Sequence, residues 1–384
     1  MAPLTATFTR LPLSTPLPRS SHCITASLLP NTLHLFGGEL APRQPVDNAV
    51  HVVSLASGAV HAVEAPPASR AGGTAASERD AAWPAPRVGA AAAALDGKWY
   101  VFSGRGGPDM TPLSDAAAPS TSASAPTASP PAVWCFDPHA ATWTPLFGAG
   151  PAPSPRSYHA LAACPSASSD PYLYLHAGCA PAAPPRLADL WRFDPRPPRA
   201  WTRLPDAPGP ARGGASLAVA VAPRATVFRA HGFDGARELG GVLDAFDLAA
   251  GEWRVAARWG WEGGGGEAGA QAPRGPAPRS VAALLPLRVR GREVLVALGG
   301  ERDPSAAGHA GAGRFHGDVW AFDVEGGGWE EVVVEGGEGP GKRGWFAADV
   351  VREEDGGVGA RIVVAGGLDE ENRRLGDVWV GEFK

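Results

Sequence analysis

Six times along the 384 residues the same order of segments returns. An arginine opens an apolar run, a second run ends in small residues, a third ends near an acid, and a tryptophan often follows. The first copy holds Arg19-Ser20-Ser21-His22, then 33–38 (LHLFGG) and 49–55 (AVHVVSL). The second holds Arg87, 99–104 (WYVFSG), 132–137 (AVWCFD) and Trp143. The third holds Arg156-Ser157-Tyr158-His159, 172–178 (YLYLHAG), 189–194 (DLWRFD) and Trp201. The fourth has Arg212, 226–232, 243–248 and Trp253; the fifth has Arg279, 294–300 (VLVALGG), 318–323 (DVWAFD) and Trp329. The sixth has Arg343, 361–367 (RIVVAGG) and 377–383 (DVWVGEF). Runs this short, rich in β-branched and aromatic residues and bounded by turn formers, read as strands.

One such unit cannot bury both faces of its sheet, whereas six packed around an axis can. Four strands per copy, a small-residue turn and a late tryptophan are the marks of kelch blades. The expected fold is therefore all-β: a single six-bladed kelch β-propeller spanning 1–384. The sixth copy lacks its fourth strand. Thr7-Phe8-Thr9-Arg10-Leu11 mimics the strands at Trp143 and Trp201, so residues 6–11 are predicted to complete the last blade and close the ring. Three irregular stretches interrupt the copies: Ala/Pro-rich 65–86, the low-complexity insertion 108–131, expected to be disordered, and the Gly-rich linker 260–278. The repeat runs through all three, so none marks a domain boundary.

Composition narrows the function classes. Gly 50 and Pro 40 favour turns over long helices. A formal charge of -5 without a sustained basic patch argues against nucleic acid. Cys23, Cys135, Cys164 and Cys179 lack CxxC spacing, so no zinc or disulfide framework is expected. The first residues have no continuous apolar core, and no run approaches a membrane span. No signal peptide is expected, and the expected location is the cytoplasm, with the nucleus also open.

In an antiparallel blade the long insertions all leave from one side. Function is expected on that face, around the axial mouth. The loop after Gly299-Gly300 carries Glu301, Asp303, Ser305 and His309. A carboxylate and an imidazole can hold Fe(II), Mn(II) or Zn(II), with Asp303 or Ser305 as a further oxygen donor. Alternatively the acids are solvated and His309 bonds a backbone carbonyl. Arg105 and Arg156 are candidate forks for a sulfate, phosphate or carboxylate. An arginine stands at the place of Arg156 in every copy, which also suits a tie between blades. Trp345 breaks the pattern after its arginine; it can stack a ligand or pack the mouth.

The stretches 18–42, 100–105 (YVFSGR), 155–159 (PRSYH), 299–313 and 342–348 (KRGWFAA) resemble the kelch-type nitrile-specifier, thiocyanate-forming and epithiospecifier proteins. The resemblance implies a propeller that steers unstable glucosinolate aglucones with Fe(II). Its iron ligands, Glu, Asp and His at steps of four, would fall on Glu301, Ser305 and His309. Its sulfate-binding arginine would fall on Arg105 and its mouth aromatic on Trp345. Ser305 departs from the family's aspartate. Two function classes follow. One is a specifier-like, lyase-type protein with weakly held Fe(II) acting on a small anionic molecule. The other is a non-catalytic propeller binding a protein or metabolite on the long-loop face.

Overall fold

The computed structural model describes residues 3–66, 82–115, 131–164, 171–181, 185–261, 273–308, 311–352 and 358–384. Five sheets have four strands and one has five, and every principal sheet is a blade. Blade 3 shows the plan: Ala160–Ala163, Leu173–Cys179, Arg186–Asp194 and Ala200–Leu204 pair antiparallel in chain order, from axis to rim. Several innermost strands, those of blades 2, 3, 4 and 6, are rich in alanine, which suits six strands converging on the axis. Those of blades 1 to 6 (Cys23–Thr25, Ala91–Leu95, Ala160–Ala163, Ser216–Ala220, Ala283–Val289 and Ala347–Arg352) touch one another in a closed cycle.

The sixth blade takes its outer strand from the other end of the chain. Thr5–Leu11 pairs antiparallel with Val378–Phe383, Phe8 facing Gly381. The repeat pattern did not foresee a fifth strand, Val333–Glu335, which runs parallel to Thr5–Leu11 on its open edge.

The core consists of six apolar clusters, one in each seam between neighbouring blades. Radial sheets diverge outward, so a seam is widest near its rim, and the late tryptophans fill that width. Trp143 packs 5.0 Å from Phe136 of its own blade and 5.1 Å from Phe36 of the preceding one. Trp201 repeats this with Phe193 at 4.7 Å and Phe102 at 5.4 Å. Each tilted or edge-on pair adds about 0.5–1.5 kcal/mol beyond the area it buries.

Backbone bonds stitch the blades together. The N–H of Gly38, Gly104, Gly178, Gly232, Gly300 and Gly367 donates to the carbonyl of Arg87, Arg156, Arg212, Arg279, Arg343 and Arg19, respectively, at 2.8–2.9 Å. The last of these bonds joins blade 6 to blade 1. All six donors have φ between +92° and +110°. The residue before each also has positive φ, yet it is Ser103, Ala177 or His231 in three blades. Only the second place must be glycine: a Cβ on Gly178 would stand 2.7 Å from His159 Cβ and 2.9 Å from Ser157 O.

Two irregular stretches are partly built into the fold. Within 108–131, Thr111–Pro112 pairs with Arg105–Gly106, and Asp115 holds Arg87. Residues 108–115 therefore depart from the expected disorder because they close the mouth of blade 2; 116–130 lie outside the described residues. Within 260–278, Gly260 bridges Arg274 and the Trp259 indole donates to Pro276 O at 2.8 Å.

Gly178→Ala should therefore cost about 3 kcal/mol, the sum of left-handed strain and a backbone clash. Ala177→Gly, one residue earlier, should change stability by less than about 1 kcal/mol. Urea denaturation of the two variants tests the asymmetry; equal effects would contradict it.

Candidate functional site

The mouth is built on the blade-opening arginines. Two residues after each stands a left-handed residue: Ser21, Gly89, Tyr158, Gly214, Val281 and Trp345, with φ from +46° to +62°. Their backbones form a belt around the axis. Gly89 N–H donates to Ser21 O, Tyr158 to Gly89, Gly214 to Tyr158, Val281 to Gly214 and Ser21 to Trp345, at 2.7–2.9 Å. Behind the belt runs an axial channel of about 360 Å³, walled by the innermost strands and largely apolar. That volume lies in the range of small-ligand pockets.

The arginines themselves face away from the channel. Nη1 of Arg19, Arg87, Arg156, Arg212, Arg279 and Arg343 donates to the carbonyl of Gly37, Ser103, Ala177, His231, Gly299 and Gly366, at 2.9–3.0 Å. Arg156 also forks onto Asp189, whose carboxylate accepts the Trp191 indole. Arg279, Asp318 and Trp320 repeat the arrangement, as do Arg343, Asp377 and Trp379. This explains the recurring Asp-x-Trp. Burial would raise the Asp318 carboxyl, but the hydrogen bonds and charge of Arg279 bring it down to about 2. Arg156, a sequence candidate for anion binding, is thus fully engaged inside its blade, and the structure gives it a structural task instead.

Blade 4 breaks the rule. Val242 stands where blades 3, 5 and 6 have Asp189, Asp318 and Asp377; blades 1 and 2 have Ala49 and Ala132 there and bring Asp47 and Asp115 to their arginines, whereas Asp244 of blade 4 pairs with Arg229. Arg212 is left beside a second buried guanidinium. Burial and then the charge of Arg229 lower its pKa to about 9.

Above the arginines, each blade raises a short hairpin or bridge to the rim. The facing pairs are Glu39 with Pro45, Arg105 with Pro112, Cys179 with Arg186, Phe233 with Glu238, Glu301 with Phe315 and Leu368 with Arg374. Charge is therefore unevenly spread. Blades 2 and 3 contribute Arg105, whose Nε donates to Ser157 Oγ at 2.7 Å, and Arg186, whose guanidinium lies 5.7 Å from the Phe233 ring centre. Neither forms an ion pair with a described carboxylate. Blades 4 and 5 contribute two buried acids, Glu238 and Glu301. Burial, then the charge of Asp303, pushes the Glu301 carboxyl up to about 7. Burial pushes Glu238 up to about 8; Glu301, Asp234 and Asp303 add to the rise and the nearby Ser280 hydroxyl opposes it. Between blades 6 and 1, Glu39 meets Arg374 at 3.4 Å.

The sequence candidates fall unevenly on this rim. Arg105, Glu301 and Trp345 all reach the mouth, Trp345 standing edge-on to Phe315 at 5.8 Å. Asp303 is exposed and pairs with Arg302 at 3.0 Å. The Ser305 hydroxyl accepts the Ala307 N–H at 3.1 Å, closing a local turn. His309 lies outside the described residues. Among the described residues no group of three His, Cys, Asp or Glu side chains could hold a metal. One buried carboxylate with a neutral hydroxyl does not by itself make an Fe(II) site. Sequence reading missed Glu238, whose only signal is its place on the returning leg of the blade 4 loop.

Nor are the remaining titratable groups arranged as nucleophile and base among the described residues. Burial raises the Cys179 thiol, and burial plus the neighbouring arginine lowers His22 and His159 to about 3. These histidines open the innermost strands of blades 1 and 3 with both ring nitrogens unpartnered.

Six radial blades, an arginine–aspartate–tryptophan tie in three of them and a polar rim around an apolar channel define a kelch-repeat propeller. Residues 5–228 match the model of the KLHDC2/KLHL20/DRC7 Kelch-repeats domain. That is more than half of the chain, and the chain belongs to this family. Among the described residues no helix is long and apolar enough to cross a membrane.

The histidines set an acid dependence. Their folded pKa lies below the ordinary value, so their neutral burial supports the fold above about pH 6.5 and is lost toward pH 3. Each should remove about 1.4 kcal/mol of stability per pH unit in that window. Urea unfolding of the His22→Asn/His159→Asn variant between pH 7 and 4 should show a shallower decline than the parent. Parallel curves would refute the assignment.

Proposed function

We propose that the chain is a non-catalytic binding propeller whose long-loop mouth receives an extended segment of a protein partner, with an acidic group of that segment held by Arg105. The observation that carries this reading is the rim itself. Every blade-opening arginine is engaged within the fold, while Arg105 stands half-buried at the mouth with its Nε oriented by Ser157. An oriented fork beside Arg186, with no described carboxylate paired to either, suits a carboxylate or phosphate. Membership of a kelch-repeat family supports a protein partner. Full-length protein panned against displayed random dodecapeptides should enrich acidic residues at a fixed position. Arg105→Ala should weaken the selected peptides at least tenfold without shifting the melting temperature. Binding indifferent to Arg105 would reject the reading.

A second reading, the specifier one, is kept alive by Glu301: it is buried at the mouth and its facing residue, Phe315, packs against Trp345. On that reading a small anionic molecule would sit between Arg105 and weakly held Fe(II). Ser305→Asp should then tighten Fe(II) binding, because a charged oxygen donor suits this ion better than a hydroxyl. His309→Ala should abolish it. Titration of both variants in which neither alters affinity would retire the metal and this reading with it.

A further inference from the structure

Burying a carboxylate without a partner is costly, and folded chains retain one mainly where something else is served. Glu238 is 8% exposed, and neither of its carboxylate oxygens has a hydrogen-bond partner of good geometry. The Ser280 hydroxyl beside it does not close such a bond. Across the seam between blades 4 and 5 stands Glu301, 6% exposed, its backbone paired with Ser280, whose hydroxyl lies beside Glu238. Asp234 and Asp303 add further negative charge near the pair. The arginines of the surrounding loops are taken elsewhere: Arg237 turns to Asp234, Arg302 to Asp303 and Arg314 to Glu370. Gly313 lets the returning leg of the loop pass close over Glu301, since a Cβ there would stand 2.3 Å from Glu301 Oε1. Aromatic rings face both acids from their own hairpins, Phe233 opposite Glu238 and Phe315 opposite Glu301.

We propose that Glu238 and Glu301 form a second subsite of the mouth, which takes the guanidinium or ammonium group of a bound segment. Combined with Arg105 on the opposite blades, it makes the mouth a reader of segments that carry a basic residue and an acidic one at a fixed separation. This rests on the reading of the mouth as a peptide-binding face. A guanidinium fits best, because its planar fork can meet two carboxylates at once. The arriving cation supplies Glu238 with the partner that it lacks among the described residues.

The test uses the same displayed dodecapeptides on full-length protein, with Glu238→Gln, Glu301→Gln and the double variant, all checked by thermal melting. Parent protein should enrich Arg or Lys at a fixed distance from the acidic position. The double variant should bind the selected peptides at least tenfold more weakly. Replacing the peptide's basic residue by norleucine should then cost the double variant nothing further, so that the two losses are not additive. As an independent readout, Glu238→Leu should raise the melting temperature, since it removes an unsatisfied buried acid. Peptides that depend on Arg105 but lack a preferred basic residue would overturn this inference and leave the mouth reading intact. Basic enrichment that survives the double substitution would overturn it as well. A library that yields no binding peptide would reject both.

Discussion

The structure depends on one backbone contact made six times: a glycine N–H at the end of each second strand, donated to the carbonyl of the next blade's opening arginine. Because the donor has φ near +100°, the chain can turn sharply there and bring its backbone against a neighbour that a side chain would hold off. The same arginine uses its guanidinium within its own blade, on the carbonyl just before that blade's own glycine. Carbonyl and side chain of one residue thus act on two different blades. This locks the angle between sheets more firmly than apolar packing in the seams could, since packing has no direction.

Once the blades are fixed, the mouth is a by-product of the stitching. Each blade must send its chain over the top of the seam and back, and what it carries there is free to vary. The rim holds glutamate, arginine, cysteine, phenylalanine, glutamate and leucine at equivalent places, while the layer beneath hardly changes. Function can therefore diverge around a constant frame.

Much of the frame was legible from sequence because strand period, Gly-Gly and late tryptophan are local signals repeated in order. The N-terminal strand was visible as a spare copy of 143–146 and 201–204. Less could be read at the site. Arg156 and Arg105 look alike in a string of letters, and only the Asp189 carboxylate reveals that the first is engaged. Glu301 could be picked out, but not the outward turn of Asp303 toward Arg302. Glu238 was invisible because its meaning comes from a carboxylate more than sixty residues away in sequence, across a seam. Val333–Glu335 escaped notice for a similar reason: its partner lies at the opposite end of the chain.

That last strand has a consequence for biosynthesis. Residues 5–11 leave the ribosome well before their antiparallel partner, 378–383, from which five blades separate them in sequence. Five blades can assemble in order as they emerge, each against its predecessor. Meanwhile this early segment, with its alternating buried Ala6 and Phe8, must wait for the partner strands made after it. Val333–Glu335 becomes available before 378–383 and pairs with residues 5–7 in parallel. It can act as a temporary berth, holding the early strand beside the growing ring until its final neighbour arrives.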